Sequence, residues 1–168
     1  MKKFKTLIAV FSFFVAMASL SACGGSDNSS ENTDGMAVST ESSVNADEAV
    51  DPNAKSDSKG VGKFTDVEVA ATIDKDMAAK GQAIFETKCT PCHKLTEEKL
   101  VGPGLKNITN LRTPEWIMNM ITNPEEMTKK DPIAKALFEE HLMQMTFQNV
   151  SDDETRQIYE YLRLNDQN

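Results

Sequence analysis

Two cysteines separated by two residues and followed at once by a histidine, Cys89-Thr90-Pro91-Cys92-His93, constrain this chain more than any other stretch. Cysteines at i and i+3 stand about one helical turn apart, where their thiols can form thioethers to the two vinyl groups along one haem edge. His93 follows directly and can reach the iron. The rest of the chain then has two tasks: to enclose the porphyrin and to supply or withhold a sixth ligand. A Cys-x-x-Cys can also be a redox dithiol, or half of a zinc site completed by His93 and His141. The dithiol reading calls for a βαβ setting, whereas this chain reads as helices without alternating strands. The zinc reading has to close over the long separation between His93 and His141, far from finger spacing.

The first residues are not part of the fold. Lys2, Lys3 and Lys5 precede the apolar run Leu7 to Leu20, whose length suits a signal-peptide core and is short for a membrane span. Residues 1–22 therefore read as a secretory signal. The segment ends in Leu20-Ser21-Ala22-Cys23, which resembles the bacterial lipobox and makes Cys23 the lipidated first mature residue. An ordinary cleavage site would instead leave Cys23 as an unpaired thiol in an oxidising compartment. The reading places the protein in the bacterial cell envelope, lipid-anchored and facing the periplasm.

From residue 24 to about 62 the chain is rich in Gly, Ser, Asn, Asp and Ala and poor in aromatic and long apolar residues. Such a stretch buries too little apolar area to offset its ordering entropy, so residues 23–62 are expected to be a lipidated, disordered tether. Its r.m.s. reach is about 30–35 Å. Residues 63–168 remain, enough for one small domain. The full chain carries a net charge of -8, and loss of the three signal lysines leaves the mature chain more acidic still. That balance does not invite nucleic acid or anionic lipid, and it suits a partner with a basic docking patch.

Within the domain, Val67-Glu68-Val69 alternates too briefly for a strand and reads as an extended lead-in. A helix begins at the N-cap Asp74, with Met77, Gly81, Ile84, Phe85 and Lys88 at three- and four-residue spacing. A glycine inside a helix costs ~1 kcal/mol relative to alanine, so Gly81 is expected to let another backbone approach closely. Thr113-Pro114-Glu115 opens the next helix and Asn123-Pro124 closes it, with Trp116, Ile117, Met120 and Ile121 as its apolar stripe. Asp131-Pro132 begins another, with Ile133, Leu137 and Phe138 inward. Ser151-Asp152-Asp153-Glu154 is a capping box that opens the last helix, where Ile158, Tyr161 and Leu162 share a face.

Gly81-Gln82-Ala83-Ile84-Phe85 followed by Cys89-Thr90-Pro91-Cys92-His93 resembles the start of a class I c-type cytochrome, here in a lipoprotein form. The resemblance implies an all-α cytochrome c fold of about four short helices wrapped around one covalently bound haem c. It further implies that Gly81 and Phe85 receive the C-terminal helix, whose Tyr161-Leu162 is similar to the family's terminal Tyr-Leu pair. Val101-Gly102-Pro103-Gly104-Leu105 is similar to the family's Gly-Pro-x-Leu segment. That similarity implies a Pro103 carbonyl accepting a hydrogen bond from His93, and Leu105 packed on the haem face. Such a bond makes chemical sense, because a ligating histidine needs its other ring nitrogen satisfied. Trp116 is expected to pack in the core, with a hydrogen bond to a haem propionate as the alternative.

Three residues could supply the sixth ligand: His141, Met143 and Met145. Met145-Thr146-Phe147-Gln148-Asn149-Val150-Ser151 resembles the family's ligand loop, which implies Met145 as the axial ligand opposite His93. Thr146 stands where the family usually has proline. Met143, or His141 in a bis-histidine haem, remains the alternative. With both axial positions filled by protein, electron transfer is the expected function and no enzyme activity is expected. Methionine shifts the potential upward relative to a second histidine. The chain then reads as a monomeric, membrane-tethered carrier between a quinol-oxidising complex and a terminal oxidase or periplasmic reductase. The rival reading is a haem-based gas or redox sensor, or minor peroxidase, with a labile Met145.

Overall fold

A computed structural model describes residues 50–168. The signal segment, Cys23 and the tether as far as residue 49 lie outside the described residues. The described residues form six helices and no strand. These are α1 (Lys75–Lys88), α2 (Ile108–Leu111), α3 (Pro114–Thr122), α4 (Pro124–Lys130), α5 (Pro132–His141) and α6 (Asp152–Asn165). None of them is long and apolar enough to cross a membrane.

The all-α expectation holds, with α2 and α4 added to the expected helices. Pro124 does end α3, but its fixed φ also suits the first position of a new helix, so α4 starts where α3 stops. The short α2 depends on a distant residue. The Asp166 carboxylate, just past α6, accepts from the Asn107 and Thr109 amides at 2.8 Å each, satisfying donors that a helix start leaves free.

The main packing relation is the crossing of α1 and α6. Asp74 caps α1 by accepting from the Met77 amide at 2.9 Å, and Ala78, Gly81 and Phe85 form its buried face. Met77, Ile84 and Lys88 lie at the margin of that face. Ser151 and Glu154 make the expected reciprocal capping box on α6. At the crossing, a Cβ on Gly81 would stand 1.9 Å from the Gln157 carbonyl oxygen and 2.9 Å from the Ile158 amide nitrogen. The α6 main chain therefore occupies the space above Gly81. Of the crossing expected for Tyr161-Leu162 at Gly81 and Phe85, Tyr161 makes the Phe85 part, meeting that ring edge-on with centroids 5.6 Å apart.

Phe85, Trp116, Ile117, Met127, Ile133, Ile158 and Leu162 make up much of the core. Each such side chain contributes roughly 1.5–3 kcal/mol by leaving water. Phe138, expected to point inward, is 38% exposed, and Leu137 takes the inward position beside it. A buried ionic cluster ties the ends of α1 and α6 together. Glu160 accepts from Arg156 at 2.6 Å, Arg163 at 2.8 Å and the Asp74 amide at 2.9 Å.

The boundary between tether and domain lies earlier than residue 63. Residues 52–62, assigned by composition to the tether, are fastened to the helices by polar contacts. Arg112 donates to the carbonyls of Pro52 and Ala54, Ser58 donates to Asp131 at 2.7 Å, and Thr113 donates to the Ser58 carbonyl at 2.7 Å. Asn119 donates to the Lys59 carbonyl at 3.0 Å. Composition weighs apolar area, whereas this strap is held by hydrogen bonds, to its carbonyls and from the Ser58 hydroxyl.

Candidate haem site

The Cys-x-x-Cys-His motif grows directly out of α1. The Cys89 amide donates to Phe85 at 2.8 Å, and the Cys92 and His93 amides both return to the Cys89 carbonyl, at 3.1 and 2.9 Å. The motif is thereby a coiled turn that keeps both thiols on one short stretch, Cys89 half-buried and Cys92 exposed. A second segment braces it: the Gly102 amide donates to the Cys92 carbonyl at 2.9 Å, and the Leu105 amide to that of Lys94 at 2.8 Å.

This bracing positions His93. Its Nδ1 lies 2.9 Å from the Pro103 carbonyl oxygen, which can only accept, so Nδ1 carries the ring proton and Nε2 is left with its lone pair. The hydrogen bond implied by the family resemblance is thus present. Gly102 sets the ring's other boundary, since a Cβ there would stand 2.6 Å from Cε1 and 3.2 Å from Nε2. Burial holds the His93 pKa below its ordinary value, with the Pro103 contact acting the other way. The imidazole is therefore neutral near pH 7, the state that binds a metal.

The thiols do not suit the dithiol reading. Burial pushes Cys89 up to about 11, with Lys88 opposing the rise and Cys92 adding to it, whereas a redox-active cysteine needs a lowered pKa. Nor, among the described residues, do three or more His, Cys, Asp or Glu side chains converge as a metal-binding group, which a zinc site would require. A pair of free thiols and an imidazole with one nitrogen fixed and the other free do fit covalent haem with His93 on its iron.

Leu105 is half-buried against the core. Trp116 is 3% exposed, and its single N–H donates to Asp131 at 3.0 Å. That bond leaves no donor for a propionate, and the core reading of Trp116 is the one that fits. Arg112 lies over the indole, 5.3 Å from the ring centroid.

The sixth-ligand candidates follow α5, which ends at Leu142 in the left-handed conformation. Met143 is 56% exposed, while Met145 is half-buried. The His141 side chain is only 7% exposed, and its Nδ1 is buried without a partner. Burial holds the His141 pKa below its ordinary value, with Lys99 acting the same way and Glu140 opposing it. Lys88, next to Cys89, donates to the carbonyls of Gln148 and Asn149 at 3.1 Å each, tying the same loop to the end of α1. The fold thus gathers His93 and the Met145 loop from distant parts of the chain.

Two contributors were not read from the sequence. Gln144 bonds α4 to the Met145 backbone, and Arg112 fastens the strap. No local spacing marks either one, because their partners lie on other elements.

The family model for cytochrome c matches residues 78–165, more than half of the chain. The chain belongs to the cytochrome c family. Cytochrome c from Rhodothermus marinus is 37% identical, with a TM-score of 0.61 over 63% of this cytochrome and 90% of that chain. An engineered cytochrome c from Rhodothermus marinus is 36% identical, with a TM-score of 0.62 over 64% and 92%. A structure of that engineered protein bound to a carbene intermediate gives 36% identity and a TM-score of 0.59, over the same shares. No curated protein matches this cytochrome. It is a monohaem class I c-type cytochrome with covalently bound haem c, for which Cys89 and Cys92 supply the motif, and a haem-based electron carrier. When bound, the haem supplies reversible one-electron exchange at iron.

Proposed function

We propose that this cytochrome is a lipid-anchored electron shuttle of the bacterial cell envelope, facing the periplasm, with His93 and Met145 as axial ligands. It accepts single electrons from a quinol-oxidising complex and delivers them to a terminal oxidase or periplasmic reductase, acting as a monomer. The observation that carries the reading is the His93–Pro103 hydrogen bond. It holds one ring nitrogen protonated and aims the other at a fixed position, which suits a ligand that must not rearrange between oxidation states. The half-buried Met145, on a loop tied both to α4 and to the end of α1, supports a protein-supplied sixth ligand. The Leu20–Cys23 motif supports the anchor.

A second reading, in which Met145 is labile and a small molecule reaches the iron, has one observation in its favour. The engineered Rhodothermus marinus relative is described bound to a carbene intermediate. Carbon monoxide added to the dithionite-reduced wild type separates the two, because a shuttle with Met145 in place leaves the ferrous spectrum nearly unchanged.

The anchored-shuttle reading is tested with Cys23→Ser in the full chain. Haem-stained gels of fractionated cells should show wild type in the membranes and the variant in the soluble periplasmic fraction, with identical visible spectra. In wild-type membranes, oxidising a quinol should reduce the haem. Membrane retention of the variant would contradict anchoring at Cys23, and failure of quinol-driven reduction would contradict the proposed donor.

A further inference from the structure

We propose that Gln144 is the positioning residue that holds Met145 at its place, by bonding the methionine's backbone to α4. The inference rests on the reading of Met145 as sixth ligand. Among the described residues, no backbone-to-backbone hydrogen bond involves residues 143–149, so this loop is held by side chains. Lys88 secures its far end at the carbonyls of Gln148 and Asn149, and the Gln148 side chain bonds only within the loop, to Thr146. Next to Met145 itself, Gln144 is the side chain that reaches another element.

Its amide is used at both ends. Nε2 donates to the Met145 carbonyl at 2.9 Å and lies 3.4 Å from the Pro124 carbonyl at the start of α4. Oε1 accepts from the Thr128 hydroxyl at 2.9 Å. The orientation is fixed by chemistry: turning the amide over would set its oxygen against the Met145 carbonyl, two acceptors with no proton between them. Thr128 is itself buried in α4, a helix whose Pro124 and Met127 are also buried, so the anchor is part of the packed core. The left-handed Leu142 turns the chain out of α5, and the Gln144 clamp then sets the direction in which the Met145 side chain leaves the backbone. Thr146, the next residue, lacks the ring that would restrict the chain there.

Methionine is a weak, neutral donor, so its hold on iron depends on being kept at the right place by the protein. Releasing the clamp should favour any exogenous ligand that competes for the same position. Imidazole binding to ferric holo-protein, read by visible absorbance, measures this directly. Gln144→Ala should raise the apparent imidazole affinity about tenfold, the effect of one or two lost hydrogen bonds, and weaken the near-infrared methionine band. Gln144→Glu is nearly isosteric and keeps an acceptor for Thr128 but no donor for the Met145 carbonyl. It should behave like Gln144→Ala, which a merely structural role through Thr128 would not predict. Thr128→Val should loosen the clamp, and Thr128→Ser, which keeps the hydroxyl, should restore wild-type binding.

Unchanged imidazole affinity and band in Gln144→Ala and Gln144→Glu, with the band abolished in Met145→Ala, would overturn the positioning role and leave the ligand reading standing. A band that survives Met145→Ala would overturn both. If Gln144→Ala does not accumulate as holo-protein, Gln144→Glu decides the matter by the same titration.

Discussion

Gly81 and Gln157 touch so closely that the glycine's missing Cβ would fall 1.9 Å from the glutamine's carbonyl oxygen. Main chain cannot yield as a flexible side chain does, so any substitution here must push α6 away from α1. Gly81→Ala gains about 1 kcal/mol in helix propensity. The forced separation costs on the order of 1–3 kcal/mol, and more for Leu. Thermal melting of the holo-protein should therefore show Gly81→Ala no better than wild type and Gly81→Leu lower by several degrees. A clear rise in melting temperature for Gly81→Ala would place the two helices farther apart than this contact requires.

Glu160 gives a pH signature. Burial alone would raise its pKa, but hydrogen bonds from Arg156, the Asp74 amide and Arg163 outweigh that and hold it below the ordinary 4.5. The native state thus keeps its carboxylate charged at pH values where the unfolded chain has begun to take up a proton. The resulting stability is present above the unfolded value and is lost as pH falls below about 4.5 through the lower folded value. Glu160→Gln leaves two arginines without their shared carboxylate and should cost roughly 3 kcal/mol at pH 7. The gap between variant and wild type, measured by denaturant unfolding, should narrow as pH falls below that value. A gap that is constant with pH would mean the ion cluster is not what distinguishes them.

Much of this arrangement was legible because its causes are local. The Asp74 and Ser151 caps and the proline starts at Pro114 and Pro132 follow from short motifs, and the His93–Pro103 bond was implied by the family resemblance of the Gly-Pro-x-Leu segment. What escaped depends on long-range partners. The strap at residues 52–62 looks disordered until Arg112, Asn119 and Asp131 are seen to receive it. Pro124 reads as a stop and serves also as a start, while α2 needs Asp166 from the far end of the chain. Gln144 is an unremarkable polar loop residue until Thr128 is placed beside it.

Covalent attachment predicts a sharp loss. Cys89→Ala combined with Cys92→Ala removes both thiols, and a domain of this size built around haem has too little apolar core of its own. Haem staining on denaturing gels should show no band for the double variant at the protein's position. A band that survives denaturation would contradict attachment through these residues.

The most direct test is the ferric near-infrared spectrum of Met145→Ala beside Met143→Ala. Met145 is half-buried on the clamped loop, whereas Met143 is 56% exposed. With His93 and Met145 as the axial pair, Met145→Ala should abolish the methionine band, admit carbon monoxide to the ferrous form and lower the potential. Met143→Ala should leave all three unchanged. Persistence of the band in Met145→Ala, or its loss in Met143→Ala alone, would contradict the assignment of Met145 as the ligand that makes this cytochrome an electron carrier.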